Sequence, residues 1–196
     1  MQLAPVTLAD ANVRLEPFDP ALYGAALRAL ADSAPEQFVL WSHRGPGDWV
    51  GLWLETIAAR AAAGTMIPLS VLSPDGAIFL GITSYLDPNA VNRSVEIGMT
   101  VYAPDAAGTA VNPAAKRLLL AHAFGQGAVR VQFQVDDRNK RSQSAVLKLG
   151  AKREGILRNH RTLPDGFVRD TAFFSIIDTE WPEVKARLDA RLAAPV

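Results

Sequence analysis

The chain is 196 residues long, 49% hydrophobic and formally neutral, with 20 basic against 20 acidic side chains. That is enough apolar mass for a full core, with no net field to favour nucleic acid or an anionic membrane. No cysteine is present, which excludes disulfide staples, thiolate zinc sites and a cysteine nucleophile. The opening residues MQLAPVTLADANVRLE lack a basic start and an apolar core, and no run approaches the roughly 20 apolar residues of a membrane span. A cytoplasmic chain without nucleic-acid or membrane partners is expected.

In chain order, strand and helix signals alternate without a fixed repeat or a long Pro/Gly/Ser linker. One α/β (α+β) domain over residues 1–196 is therefore expected. Residues 13–16 read as a strand, 20–34 as an Ala/Leu-rich helix and 48–63 as a second helix that Gly64 breaks. Strands at 67–72 and 78–85 flank Pro74, Asp75 and Gly76, a hairpin signal. A strand at 94–102 then leads through a small-residue loop into a helix at 113–124, with Asn112 as N-cap and Pro113 as first helical residue.

The alternation of Val129, Val131, Phe133 and Val135 with polar residues is that of a strand with one buried face. Asn139 caps a following helix that Gly150 closes. On it Ser142, Ala145, Val146 and Leu149 share a face, so Ser142 should point inward. Strands at 152–162 and 170–177 flank the turn at Pro164, Asp165 and Gly166. An amphipathic helix from about Glu180 carries Trp181, Val184, Leu188 and Leu192 to the C-terminus.

The loop is the most informative stretch. Gly108, Thr109 and Ala110 carry little side chain, so backbone N–H groups can approach an anion at a helix N-terminus. It has neither the lysine ending of a nucleotide P-loop nor a G-x-G-x-x-G fingerprint. A structural turn is the plain alternative.

Three blocks together resemble the GNAT family of acetyl-CoA-dependent N-acetyltransferases, in particular its ribosomal-protein N-terminal acetyltransferase branch. They are VEIGMTVY with GTAVNPAAKRLLLAHAF, then VDDRNKRSQSAVLKLGAKREGILR, then DGFVRDTAFFSIIDTEWPEVKARLDARL. The resemblance implies a mixed, mostly antiparallel sheet flanked by helices, its fourth and fifth strands splayed around the pantetheine arm of acetyl-CoA. Backbone groups of Met99, Thr100 and Val101 would hold the thioester and pantetheine amides. The N–H groups of Ala107, Gly108, Thr109, Ala110 and Val111 would take the pyrophosphate, and Asn139 would lie near the pantetheine. The chain departs from the family's Q/R-x-x-G-x-G/A form by placing Asp105 at the Q/R position. Cationic help must then come from farther away, from Lys116, Arg117 or Arg141.

Acetyl transfer needs a base for the amine, a polarised thioester carbonyl and a donor for the leaving thiolate. Glu96 aligns with a strand glutamate used as base in the family; an exposed or ion-paired carboxylate is its alternative. Val146 stands where many relatives carry a tyrosine acid, and the branch suggests Ser142 instead, whose alternative is a back-bonded helix serine. His160 is a second base candidate, or a surface histidine.

Trp41 and His43, in a loop beside Arg44 and Gly45, are the candidate acceptor residues, while Trp49 and Trp53 fit core packing. No metal is called for. The acceptor is a protein N-terminus or a small amino compound, and both monomer and homodimer stay open. A GNAT-like binding or regulatory protein is the rival to the enzyme, with an unrelated anion-binding α/β domain third.

Overall fold

The structure is a computed structural model that describes residues 1–194. Eight strands form one sheet: β1 (Leu8–Ala9), β2 (Arg14–Pro17), β3 (Met66–Leu72), β4 (Phe79–Asn89), β5 (Ser94–Tyr102), β6 (Arg130–Asp136), β7 (Lys152–Thr162) and β8 (Val168–Ile177). Five α-helices accompany it: α1 (Pro20–Ser33), α2 (Trp49–Ala62), α3 (Val111–Gly125), α4 (Lys140–Leu149) and α5 (Trp181–Ala193). The spatial order is β1-β2-β3-β4-β5-β6-β8-β7, antiparallel throughout except for β5 beside β6. This is the expected mixed, mostly antiparallel sheet with helices on both faces.

Two apolar cores follow from the alternation of the strands. Val95, Ile97, Val131, Phe133 and Phe174 pack with Leu119 of α3, Val146 of α4 and Leu188 of α5 on one face. Ile82, Leu86 and Val101 pack with Leu27 of α1, Phe38, and Trp53 and Ile57 of α2 on the other. β3, MIPLSVL, is buried at every position, as a central strand covered on both faces should be.

Caps set the helix starts. Asp19, Asp48 and Asn139 accept the backbone N–H of Ala21, Gly51 and Ser142 at the heads of α1, α2 and α4. Gly150 closes α4 in the left-handed region, at φ +102°.

Several boundaries move. The two-residue strand β1 is too short for a periodic signal, and Asp10 bends the chain after it by accepting from Asn12 and Val13. β4 runs on to Asn89 because β5 still pairs with it there, Asn89↔Ser94, after β3 has ended at Met66↔Leu86. α3 starts at Val111, so Asn112 is not its N-cap: Ala110 holds that place and Thr109 Oγ1 accepts the Val111 N–H at 3.2 Å. Pro113 is tolerated one turn in because N–H groups there have no intrahelical partner. The last two positions of the expected C-terminal helix lie outside the described residues.

Candidate active site

β5 and β6, which are the expected fourth and fifth strands once the short β1 is set aside, part at Glu96. They pair only at Ser94↔Arg130, Val95↔Val131 and Glu96↔Gln132. From Ile97 onward β5 keeps β4 on one side and has no partner on the other. The freed edge offers backbone donors and acceptors over the stretch that includes Met99, Thr100 and Val101. α3 and α4 follow β5 and β6 directly, so both helix N-termini stand at the open end of this wedge.

A bulge shapes the freed edge. The β4–β5 register slips between Ser84↔Gly98 and Ile82↔Val101, setting Met99 and Thr100 together against Thr83. Met99 takes φ +46°, a left-handed conformation costing a non-glycine residue about 1–2 kcal/mol. The extra residue inverts the alternation, so Val95 and Ile97 enter the α3-side core while Val101 enters the other.

Thr100 thereby turns toward α3. Its hydroxyl lies 2.8 Å from Thr83 Oγ1, and Lys116 Nζ donates to both, at 2.6 Å to Thr100 and 3.0 Å to Thr83. Lys116 is 5% exposed, and burial lowers its amine to about 7. Lys116 is therefore a pin beneath the bulge and not a cation for the loop, a correction that needed the register to see. Arg117 is tied to Asp189. Arg141, in the first turn of α4, reaches Gln37 Oε1 at 3.4 Å and is the one of the three cations left at the wedge mouth.

The loop between β5 and α3 opens with a short turn, Pro104–Ala106, that exposes Asp105. The Ala107 N–H bonds to Ala103 and Pro104 carbonyls, and that of Val111 to Thr109. Those of Gly108, Thr109 and Ala110 have no acceptor among the described residues. Gly108 lies at φ +83° with nothing within 4 Å of a Cβ built on it. Three free donors on consecutive residues, open space at Gly108 and a fifteen-residue helix behind them fit a pyrophosphate. Across the wedge, Asn139 Oδ1 caps α4 by accepting from Ser142 N at 2.9 Å. The half-buried Ser142 hydroxyl has no partner there, and Val146 is buried in the α3-side core.

Glu96 is neither exposed nor ion-paired. It is 5% exposed, and no group among the described residues donates a hydrogen bond to it. Burial raises its carboxyl to about 7, against the pull of Arg161, Arg169 and Arg60 and with the help of Asp87.

A roof of residues 35–47 covers the Glu96 face of the wedge. Phe38 is fully buried, Trp41 meets Trp53 at 4.9 Å between ring centres, and His43 stacks on Trp53 at 6.5 Å. His43 is lowered to about 4, first by burial, then by Arg60, Arg161 and Arg169, so it is a neutral imidazole at pH 7. His160, on β7 against Phe173, is half-buried, its Nδ1 sealed without a partner. Burial first, then Arg161 and Arg169, lower it as well. His43, Glu96 and His160 thus share one electrostatic neighbourhood, whose arginines are unremarkable in the linear sequence.

Among the described residues no group of three His, Cys, Asp or Glu is placed to hold a metal ion, and no helix is long and apolar enough to cross a membrane.

A family model described as an acetyltransferase (GNAT) domain matches residues 12–152. Among similar solved structures, a T. thermophilus chain assigned as an acetyltransferase is 38% identical, covering 98% of this chain and 100% of its own, with TM-score 0.85. A GCN5-related N-acetyltransferase from Brucella melitensis is 25% identical over 97% and 87%, with TM-score 0.87. Mycobacterium smegmatis RimJ, solved with CoA-disulfide, is 25% identical over 95% and 93%, with TM-score 0.78. None of the curated proteins matches the chain.

Proposed function

The chain belongs to the GNAT family of acetyl-CoA-dependent N-acetyltransferases, and we propose that it passes the acetyl group directly to a primary amine in a ternary complex. The observation that carries this reading is the end of β5–β6 pairing at Glu96, which sets a buried, unpaired carboxyl at the apex of the open wedge.

Acetyl-CoA supplies an acyl group already activated on sulfur. Glu96, with a carboxyl near 7, takes the proton the amine loses, the range in which a base is both unprotonated and strong enough. Backbone N–H groups on the freed Met99–Thr100–Val101 edge polarise the carbonyl without reorganising. The unpartnered Ser142 hydroxyl donates to the departing sulfur. Gly108, Thr109 and Ala110 hold the pyrophosphate with their free N–H groups, and the Asn139 side chain borders the pantetheine. Trp41 and His43 wall the acceptor side. His160 has its Nδ1 sealed, which makes Glu96 the better placed base.

Calorimetry with acetyl-CoA and a thiol-release assay over amines and peptides test this. Micromolar binding and amine-dependent thiol release are expected. Glu96→Gln should keep the binding and lose at least about tenfold in turnover. Turnover within twofold of the parent would remove Glu96 as the base, and absence of acetyl-CoA binding would remove the whole reading.

A further inference from the structure

Arg161 and Arg169 face each other as a register pair across β7 and β8. Arg161 crosses β8 to reach Gln134 Oε1 of β6 at 2.9 Å, so its guanidinium lies on the face from which Gln134 projects. Arg169 Nε donates to Thr171 Oγ1 at 3.0 Å, and Thr171 pairs with Asp136 of β6. Gln132, Gln134 and Asp136 alternate onto one face, and Glu96 pairs with Gln132. Both arginines therefore stand on the acceptor face, with Glu96 and the roof that carries His43.

Among the described residues neither is held in an ion pair, although Asp136 and Glu96 lie near enough to act on Arg169. Arg130 and Arg138 on this part of the sheet each close a two-nitrogen pair, with Glu154 and Asp136. Arg161 and Arg169 have no carboxylate within 4.0 Å among the described residues. Arg169 is 6% exposed and its two terminal nitrogens make no hydrogen bond there, yet they are not sealed from solvent. Burying a guanidinium without an anion is costly, and setting a second cation directly opposite adds to the cost. Asp136 already binds Arg138 through both oxygens, Asp170 beside Arg169 accepts the Asn159 N–H, and Glu96 forms no ion pair with either arginine.

We propose that the acceptor is a small amino compound carrying an anionic group, a carboxylate or phosphate, which Arg169 and Arg161 bind while its amine faces Glu96. This rests on the acetyl-transfer reading for the role of the amine, but the anion site stands on its own geometry. It also accounts for the neutral His43 in the roof, which adds no charge to the two arginines.

The test uses matched amines on the whole protein: glycine against glycinamide, phosphoethanolamine against ethanolamine, with putrescine and an alanine-initiated peptide as further arms. Binding is followed by calorimetry with acetyl-CoA present, and transfer by thiol release. Anionic members should bind roughly 10- to 100-fold tighter than their neutral partners, and the better of glycine and phosphoethanolamine identifies the anion. Arg169→Met should bring the ratio close to one. The exposed Arg161→Met lowers it too and serves if the Arg169 variant fails to fold. Preference for the neutral amines, putrescine or the peptide, or a ratio unchanged in the variants, overturns the proposal. Anion-selective binding without thiol release would instead strike the acetyl-transfer reading and leave the anion site standing.

Discussion

Gly98 lies directly under the carboxylate of Glu96: a Cβ built on it would sit 2.8 Å from Oε1 and 2.8 Å from Leu86 Cδ1. Both neighbours are the free ends of flexible side chains, so Gly98→Ala should fold, at a cost of about 1 kcal/mol. Displacing the carboxylate should lower kcat by roughly 10- to 100-fold with little change in the acetyl-CoA KM. Steady-state kinetics and a melting curve check both halves, and an unchanged kcat would detach the carboxylate's position from turnover.

Glu96 also sets a pH dependence. Its carboxyl titrates near 4.5 in the unfolded chain and about 7 in the fold, so between those values the folded state binds more protons and stability falls as pH rises. The full penalty, on the order of 3 kcal/mol, is present above pH 7. Glu96→Gln lacks it and should be the more stable protein at pH 8, with the two converging below pH 4.5. Urea unfolding at pH 4.5, 6 and 8 measures this. In the parent, kcat/KM should rise with pH through about 7.

Gly108→Trp and Gly108→Ala separate strain from space. Both place a Cβ at a positive φ and should lose about 1–2 kcal/mol of stability. Only the indole fills the cradle, so only Trp should weaken acetyl-CoA binding, by at least about tenfold. Equal affinities by calorimetry would move the pyrophosphate elsewhere.

Lys116→Met tests the pin beneath the bulge. The buried amine titrates near 7 in the fold against 10.5 in the unfolded chain, so between these values the unfolded chain binds the extra proton and stability rises with pH. The parent should gain several kcal/mol over the variant between pH 7 and pH 10.5. Parallel stability curves would mean that the amine is not held in a dry site. Because Thr100 loses its donor, acetyl-CoA affinity should also fall severalfold.

Ser142→Ala should leave stability within about 0.5 kcal/mol, since the cap of α4 uses the Ser142 backbone N–H and not its hydroxyl. Asn139→Ala removes the cap and should cost about 1 kcal/mol. A kcat reduced about tenfold by Ser142→Ala at unchanged stability assigns the hydroxyl to the leaving group. An unchanged kcat assigns it to neither task.

Local chemistry was legible in the linear chain. Asn139 and Gly150 delimit α4, alternation marks β6, and Gly108 with its small neighbours marks the open turn before α3, because caps, turns and periodicity depend on residues a few positions apart. The Asn112–Pro113 signal misplaced the start of α3 by two residues because Thr109 offers a competing local bond to Val111.

What only the tertiary structure decided involves partners far apart in the chain. Burial of Glu96 depends on Leu86 and the roof over it, and the site of Lys116 depends on a bulge that brings Thr83 and Thr100 under α3. The facing of Arg161 by Arg169 is a matter of strand register. Composition determined a neutral, cysteine-free chain and its order of elements determined the sheet, whereas the charge of the face that carries Glu96 was decided by which side chains the pleat and one inserted residue turned the same way.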